Sequence, residues 1–221
     1  MKRRWFAIAV IAACALSACA GGQKVPDWSV NAVGHVERFA AAYLRGDSRV
    51  AGREFHLARA ETARTGRPDL VARVELNRCA VQVVSLDFEP CSGFDAVAVD
   101  ATQAERAYAR YLAGQASAAD VALLPAQHRA VAMGGGGVAG IDDPLARLIS
   151  AAVMLRQQHA DPALVALAVD TASGQGWRRP LLAWLGVQRQ LAEARGDAAE
   201  AARVQRRMDL VAPADGQPAR H

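Results

Sequence analysis

The sequence predicts an all-α fold, built as a short array of antiparallel helical hairpins. Alanine accounts for 50 of the 221 residues, whereas there are only four isoleucines and twelve aromatic residues. This composition is typical of helices and unfavourable for a β-sandwich or barrel. Apolar residues recur at three- and four-residue intervals along most of the chain. Helix stops recur at Gly46 and Gly66, and a helix with its turn every ~20 residues predicts hairpins stacked side by side.

Residues 27–133 are predicted to form an N-terminal helical half. A first helix begins near Asp27 and ends at Gly46, because glycine readily adopts the left-handed conformation that follows a helix. Asp47 or Ser48 caps the second helix, and Pro68 occupies the first turn of the third. Further capping pairs and breaks in this half are Asp100 with Gln103, Ser117 with Asp120, and Pro125.

A glycine-rich loop at residues 134–142 is predicted to separate this half from a C-terminal helical half at residues 143–212. Consecutive glycines disfavour a helix by ~1 kcal/mol each relative to alanine. The later helices are predicted to start at Asp143-Pro144, Asp161-Pro162, Pro180 and Asp197, the last with Glu200 as its capping partner. The polar residues 213–221 are predicted to be a disordered tail.

The first 18 residues have the features of a signal peptide. Three basic residues precede an uncharged stretch of twelve, which is too short to cross a bilayer as a mature helix. The sequence Leu16-Ser17-Ala18-Cys19 follows, and it resembles the lipobox of bacterial lipoproteins. The resemblance implies that Cys19 becomes the first mature residue and carries lipid, and that residues 19–26 tether the body to the membrane.

The residue after Cys19 indicates the membrane to which the protein is anchored. In lipoproteins of the enterobacterial kind an Asp at this position marks retention in the inner membrane, whereas this chain has Ala20. The resemblance therefore implies a multiply acylated protein held on the outer membrane and facing the periplasm, since two or more acyl chains give stable anchoring. An ordinary secretory signal with an incidental cysteine is the alternative interpretation.

Two cysteines remain for the folded body once Cys14 leaves with the signal peptide and Cys19 is lipidated. Cys79 and Cys91 are predicted to form a structural disulfide in an oxidising compartment. A redox or zinc site is less favoured, because there is no CxxC motif and no nearby histidine pair. The stretch between the two cysteines is compatible with a strand, but we favour a helix that ends near Val84 and a loop folded back by the disulfide.

Two places in the chain resemble the tetratricopeptide repeat, in which a Gly-Asp turn precedes the second helix of a hairpin. Gly46-Asp47 is followed by Ala51, Phe55 and Ala58 at the offsets of that family, without its closing proline. Gly196-Asp197 is followed by Glu200, Ala201 and Pro213, with Gln205 at the aromatic position. The resemblance covers two half-repeats and implies a tetratricopeptide-like or related α-solenoid, although an unrelated helix array remains open.

The sequence contains no recognisable catalytic, nucleotide or metal motif. The letters of Gly135-x-Gly137-x-x-Gly140 match a dinucleotide fingerprint, but they follow a helix instead of a strand and precede two aspartates. The five histidines form no metal-ligating pattern, and neither Gly-x-Ser-x-Gly nor Ser-x-x-Lys occurs. We therefore expect no cofactor, no metal, no nucleotide and no assigned catalytic residue.

The charge gives no indication of a nucleic-acid partner. The formal charge is +4, but it falls to +1 when the three basic residues of the signal peptide are removed. The predicted function is an outer-membrane lipoprotein that acts as a non-enzymatic scaffold or adaptor for a protein or peptide partner in the envelope. The side chains proposed for partner binding are Tyr108, Tyr111, Trp184 and Arg207.

Two alternatives remain open from the sequence alone. The first is a cell-wall-acting enzyme with an unidentified catalytic carboxylate, and the second is a structural accessory of a secretion or assembly complex. An apolar groove lined by Tyr108, Tyr111 or Trp184 would favour the adaptor, whereas a deep pocket that holds a buried Glu or Asp would favour the enzyme.

Overall fold

The computed structural model describes residues 25–134 and 137–212, and the regular secondary structure in this part of the chain is all helical. It confirms the predicted all-α array of hairpins. The ten α-helices of the described residues are α1 (Asp27–Arg45), α2 (Ser48–Ala63), α3 (Pro68–Val83), α4 (Ser92–Asp95), α5 (Gln103–Leu112), α6 (Ala126–Ala132), α7 (Pro144–Arg156), α8 (Pro162–Gly174), α9 (Arg178–Ala194) and α10 (Ala198–Val211). Short 3-10 helices lie at Ala98–Asp100, Ala118–Leu123 and Val138–Gly140.

The signal peptide 1–18, the lipidation residue Cys19 and the tail 213–221 lie outside the described residues. So do most of the tether and two glycines of the glycine-rich loop. Within the described residues, no helix combines the length and the apolar character needed to span a bilayer.

The residues in the turns determine where the helices of each hairpin end and begin. Gly46 ends α1 in the left-handed conformation with φ 90°, which an L-residue with a Cβ adopts only at a cost. The side chain of Asp47 then accepts a hydrogen bond of 3.0 Å from the Val50 amide. The same device recurs between α9 and α10, where Asp197 accepts from the Glu200 amide at 2.9 Å. These short turns make α1–α2 and α9–α10 antiparallel hairpins.

One predicted cap is wrong. Instead of Asp100 with Gln103, the structure uses Thr102 and Glu105, which form a reciprocal capping box at the start of α5. Thr102 has the extended backbone conformation that a cap requires, whereas Asp100 ends a 3-10 turn. The predicted pair Ser117 and Asp120 does cap a helix, but that helix is a 3-10 helix and Pro125 separates it from α6.

A single hydrophobic core runs through both halves of the chain. Phe39 of α1 packs on Phe55 of α2 with ring centroids 5.7 Å apart. Helix α9 packs against α1, and α7 packs against α3. The glycine-rich loop therefore connects two helical halves that share their interior, and it does not divide the chain into independent units.

Trp184 and Arg179 join the two halves through polar contacts. The indole nitrogen of Trp184, whose residue is completely buried, donates a 3.0 Å hydrogen bond to the Val84 carbonyl. The guanidinium of Arg179 donates to the Tyr43 carbonyl at 2.9 Å and lies 4.2 Å from the centroid of the same tyrosine ring. These contacts fix α9 against the ends of α1 and α3.

The disulfide predicted between Cys79 and Cys91 is present, with the two Cα atoms 5.9 Å apart. Helix α3 ends at Val83, and the chain then returns as a loop to the four-residue helix α4. No strand forms in this part of the chain. Gly93 fits here because it lies against Glu75: a Cβ on residue 93 would be 2.1 Å from the nearer carboxylate oxygen.

The bridge should stabilise the fold by restricting the unfolded chain. Reduction of the wild-type protein should lower the free energy of unfolding by about 3 kcal/mol, since the cysteines are twelve residues apart and the closed loop is short. Urea denaturation of the oxidised and reduced protein measures this difference without opening a cavity. Two freely alkylated thiols in unreduced peptides would contradict the bridge, and identical unfolding curves would contradict its stabilising role.

Candidate functional site: the Tyr108 groove

Of the four residues predicted to bind a partner, two are buried in the structure and two are partly exposed. Tyr111 is 2% exposed and Trp184 is not exposed at all, so neither ring is available to a partner, and this part of the prediction is wrong. Their large apolar rings fill the interior, because burial of an aromatic side chain stabilises the fold more than exposure does. Tyr108 and Arg207 are half-buried, and Tyr108 borders a groove.

That groove lies between α3, α5 and the turn that precedes α6, and we name it the Tyr108 groove. Its volume is about 390 Å³, within the range of small-ligand and side-chain pockets. The residues that line it are Arg73, Leu76, Asn77, Thr102, Ala104, Glu105, Tyr108, Leu123, Leu124 and Pro125.

Local sequence signals place each wall of the groove. The capping box at Thr102 starts α5, and Tyr108 then lies on α5 one turn beyond Glu105. Leu124 has an extended backbone and is buried, whereas Leu123 is 38% exposed at the rim. Pro125 prevents the 3-10 helix from continuing into α6, so the two leucines are presented in a turn.

One ion pair crosses the groove wall. Arg73 of α3 donates from Nε to the Glu105 carboxylate at 2.7 Å. The Arg73 side chain is 60% exposed, whereas that of Glu105 is only 7% exposed. The other Glu105 oxygen accepts from the Thr102 amide at 2.8 Å. Glu105 therefore binds α3 and the α5 cap together, and the exposed part of Arg73 remains at the mouth of the groove.

The Tyr108 ring rests on a buried polar cluster. It stacks on the His128 imidazole with centroids 5.9 Å apart. His128 Nδ1 lies 2.9 Å from Ser150 Oγ, which in turn lies 3.0 Å from the Tyr111 hydroxyl. All three members of this cluster are at most 2% exposed. The cluster supplies the hydrogen-bond partners that buried polar groups need and gives Tyr108 a rigid base.

Burial sets the protonation of these groups. It lowers the pKa of His128 to about 4, partly offset by the Asp143 carboxylate, so the imidazole is neutral at pH 7. Burial also raises the pKa of the Tyr108 hydroxyl and raises the pKa of Tyr111 to about 12. The base of the groove is therefore uncharged over the physiological range.

Carboxylates also connect the helices, although the sequence did not predict a structural role for them. Glu54 of α2 accepts from His35 at 2.7 Å and from Arg38 at 2.8 Å, and these hydrogen bonds lower the pKa of Glu54. Glu75 of α3 accepts from Arg59 at 2.9 Å.

Asp120 makes the corresponding connection beside the groove. It accepts a 3.1 Å hydrogen bond from Arg110 Nε, which is the main cause of its lowered pKa. One signal of such buried carboxylates was present in the sequence: Glu54 lies among Ala51, Phe55 and Ala58 on the buried side of α2.

The described residues show no group of three or more potential metal ligands. His35 is bound to Glu54, and His56 lies against Phe55 with ring centroids 5.6 Å apart. No known protein family, curated protein or solved structure matches the chain.

The buried His128 should make stability depend on pH. Its folded-state pKa of about 4 lies below the ordinary value of 6.5, so below pH 6.5 the unfolded chain takes up a proton that the folded chain does not. Stability is fully present above pH 6.5 and should fall by roughly 2 kcal/mol between pH 7 and pH 5. Urea denaturation at both pH values measures the loss.

The matched comparison is between His128→Gln and His56→Gln, because His56 is exposed. The His128→Gln protein should lose most of this pH dependence, whatever its absolute stability, and the His56→Gln protein should keep it. An unchanged slope in His128→Gln would contradict the buried neutral imidazole.

Proposed function

We propose that the chain is a lipoprotein anchored through Cys19 to the outer membrane, and that its helical body is a non-enzymatic scaffold or adaptor in the periplasm. The Tyr108 groove is the site at which a protein or peptide partner binds. The observation that carries this proposal is the groove itself, with apolar walls, a rigid aromatic base and one exposed guanidinium at its mouth. Such a site suits a side chain of a partner segment better than it suits a reaction.

The chemistry of the walls suggests the kind of partner. Tyr108 and Leu123 offer apolar surface, and the exposed edge of Arg73 and the second N–H of the Asn77 side-chain amide offer hydrogen-bond donors. An apolar or aromatic side chain would fill the groove, and backbone carbonyls of the same segment would accept from the rim. Aromatic and arginine residues are the usual anchors of interfaces.

The state of the ionisable groups supports binding over catalysis. Glu54, Glu75 and Glu105 are each hydrogen-bonded to an arginine. The hydrogen bonds from His35 and Arg38 lower the pKa of Glu54, and a carboxylate stabilised as an anion is a poor general acid. His128 and Ser150 form a hydrogen-bonded pair, but neither is exposed by more than 1%, so a substrate would have to open the core to reach them.

The tetratricopeptide-like interpretation belongs to the same proposal. The three residues at the family's offsets after Gly46-Asp47 are all buried in the hairpin: Ala51, Phe55 and Ala58. In the second half-repeat, Ala201 is half-buried and Gln205 accepts a hydrogen bond from Arg189 of α9. The two hairpins therefore share their turn and differ in their packing residue.

A photo-crosslinking amino acid at Leu123 tests the groove in intact cells. We expect one discrete adduct, and we expect Tyr108→Ala to reduce its yield by at least ~10-fold, since an interface anchor is worth ~2 kcal/mol or more. Leu57 of α2 provides the matched position, because it is 37% exposed and Leu123 is 38% exposed.

An adduct of the same size and yield from Leu57, or an adduct at Leu123 that Tyr108→Ala leaves unchanged, would contradict the groove as the binding site. Loss of the cellular phenotype in a correctly folded, stable Glu105→Gln protein whose Leu123 adduct persists would favour the enzyme.

The anchor is tested separately by Cys19→Ala. This variant should no longer sediment with membranes, because the proposed attachment is covalent lipid on that thiol and the described residues contain no spanning helix. Fractionation before and after a high-salt wash measures the effect. A variant that remains in the washed membranes would contradict lipid anchoring.

A further inference from the structure

Exposed valines mark the end of the molecule at which the tether joins the body. Val25, Val30 and Val33 are 64%, 59% and 57% exposed. Val30 and Val33 are three residues apart on α1 and therefore share one face of the helix. Ala32 and Phe39, on the opposite side of α1, are buried in the core. The valine face thus has no partner within the described chain.

The turn between α2 and α3 lies at the same end of the α1–α2 hairpin, on the side of α1 that faces away from Val30 and Val33. Trp28 and Asn31 of α1 line a shallow depression together with Arg64 and Thr65 of that turn. Trp28 is half-buried. Exposed valine side chains close to the proposed point of lipid attachment suit the boundary between water and lipid, where the apolar face of a surface helix is favoured.

The proposed lipid on Cys19 places the start of α1 close to the membrane surface. Cys19 precedes Val25 by six residues, and six residues span at most ~20 Å when fully extended. Acyl chains on Cys19 would therefore hold the start of α1 within that distance of the bilayer. The apolar face is within reach of the lipid surface whenever the protein is anchored.

We infer that the exposed valines at the start of the body, Val30 and Val33 of α1 together with Val25 just before the helix, lie on the lipid bilayer and orient the body on the membrane. The inference rests on the proposed anchoring at Cys19. The occupant is the uncharged boundary of the bilayer and not an anionic head group, because the nearby Arg64 and Arg67 are paired with Glu61 and Asp69. Contact should therefore form on zwitterionic lipid and persist in high salt.

The test uses the full mature lipoprotein in vesicles of phosphatidylcholine, with an environment-sensitive fluorophore on Val33→Cys. Val50→Cys is the matched control, since Val50 is an exposed valine in the first turn of α2, near the opposite end of the α1–α2 hairpin. Brominated phosphatidylcholine should quench the label at residue 33 by at least about twofold, because an apolar face that rests on a membrane lies ~5–10 Å into the boundary of head groups and acyl chains. The label at residue 50 should not be quenched.

The other outcomes are distinguishable. Equal quenching at residues 33 and 50, with lipid on Cys19 shown by mass spectrometry, would overturn the orientation and leave the anchor intact. A blue-shifted label at residue 33 that brominated lipid does not quench would show a protein occupant, such as a second copy, and would overturn the inference. An unmodified Cys19 in protein that does not bind vesicles would overturn both the anchor and the inference.

Discussion

Buried carboxylates paired with arginines of neighbouring helices set the arrangement of the N-terminal half. Glu54, Glu75, Glu105 and Asp120 are each at most 8% exposed, and each accepts from an arginine of another helix. The arginine side chains are 43–60% exposed, so the pairs add little net stability, but loss of an arginine would leave its buried carboxylate without a counter-charge. Sliding one helix past the next would break such a pair, so these pairs fix the relative position of successive helices.

Three helix-to-helix contacts join residues that are 16 positions apart in the chain. Arg38 contacts Glu54 and Arg59 contacts Glu75, each across a separation of 16 residues. Arg189 contacts Gln205 across the same separation at the other end of the chain. The acceptor there is an amide instead of a carboxylate, on a hairpin that closes the array. In each case an arginine on one helix contacts an acceptor on the next helix, across the short turn that joins them.

The features that could be predicted from the sequence depend on interactions between residues that are close together in the chain. The turn at Gly46-Asp47 and the starts at Asp143 and Asp161 depend on local side-chain caps. The bridge at Cys79 follows from the small number of cysteines. The contact of Trp184 with Val84 joins residues 100 apart, and that of Arg179 with Tyr43 joins residues 136 apart. No local pattern specifies such distant pairs. For the same reason the sequence could identify Tyr108, Tyr111 and Trp184 as large aromatic anchors without showing which of them the fold would bury.

The dual role of Glu105 constrains what the Tyr108 groove can accept. Its carboxylate accepts from Arg73 on one oxygen and from the Thr102 amide on the other, so it connects α3 to the start of α5. An acidic partner that drew Arg73 away would leave a buried anion without its counter-charge and would weaken the cap that positions Tyr108. An uncharged, apolar side chain can fill the groove while both contacts remain. The ion pair that holds the wall in place is therefore compatible with the neutral, apolar side chain proposed as the occupant, and this links the geometry of the helical array to its proposed binding site.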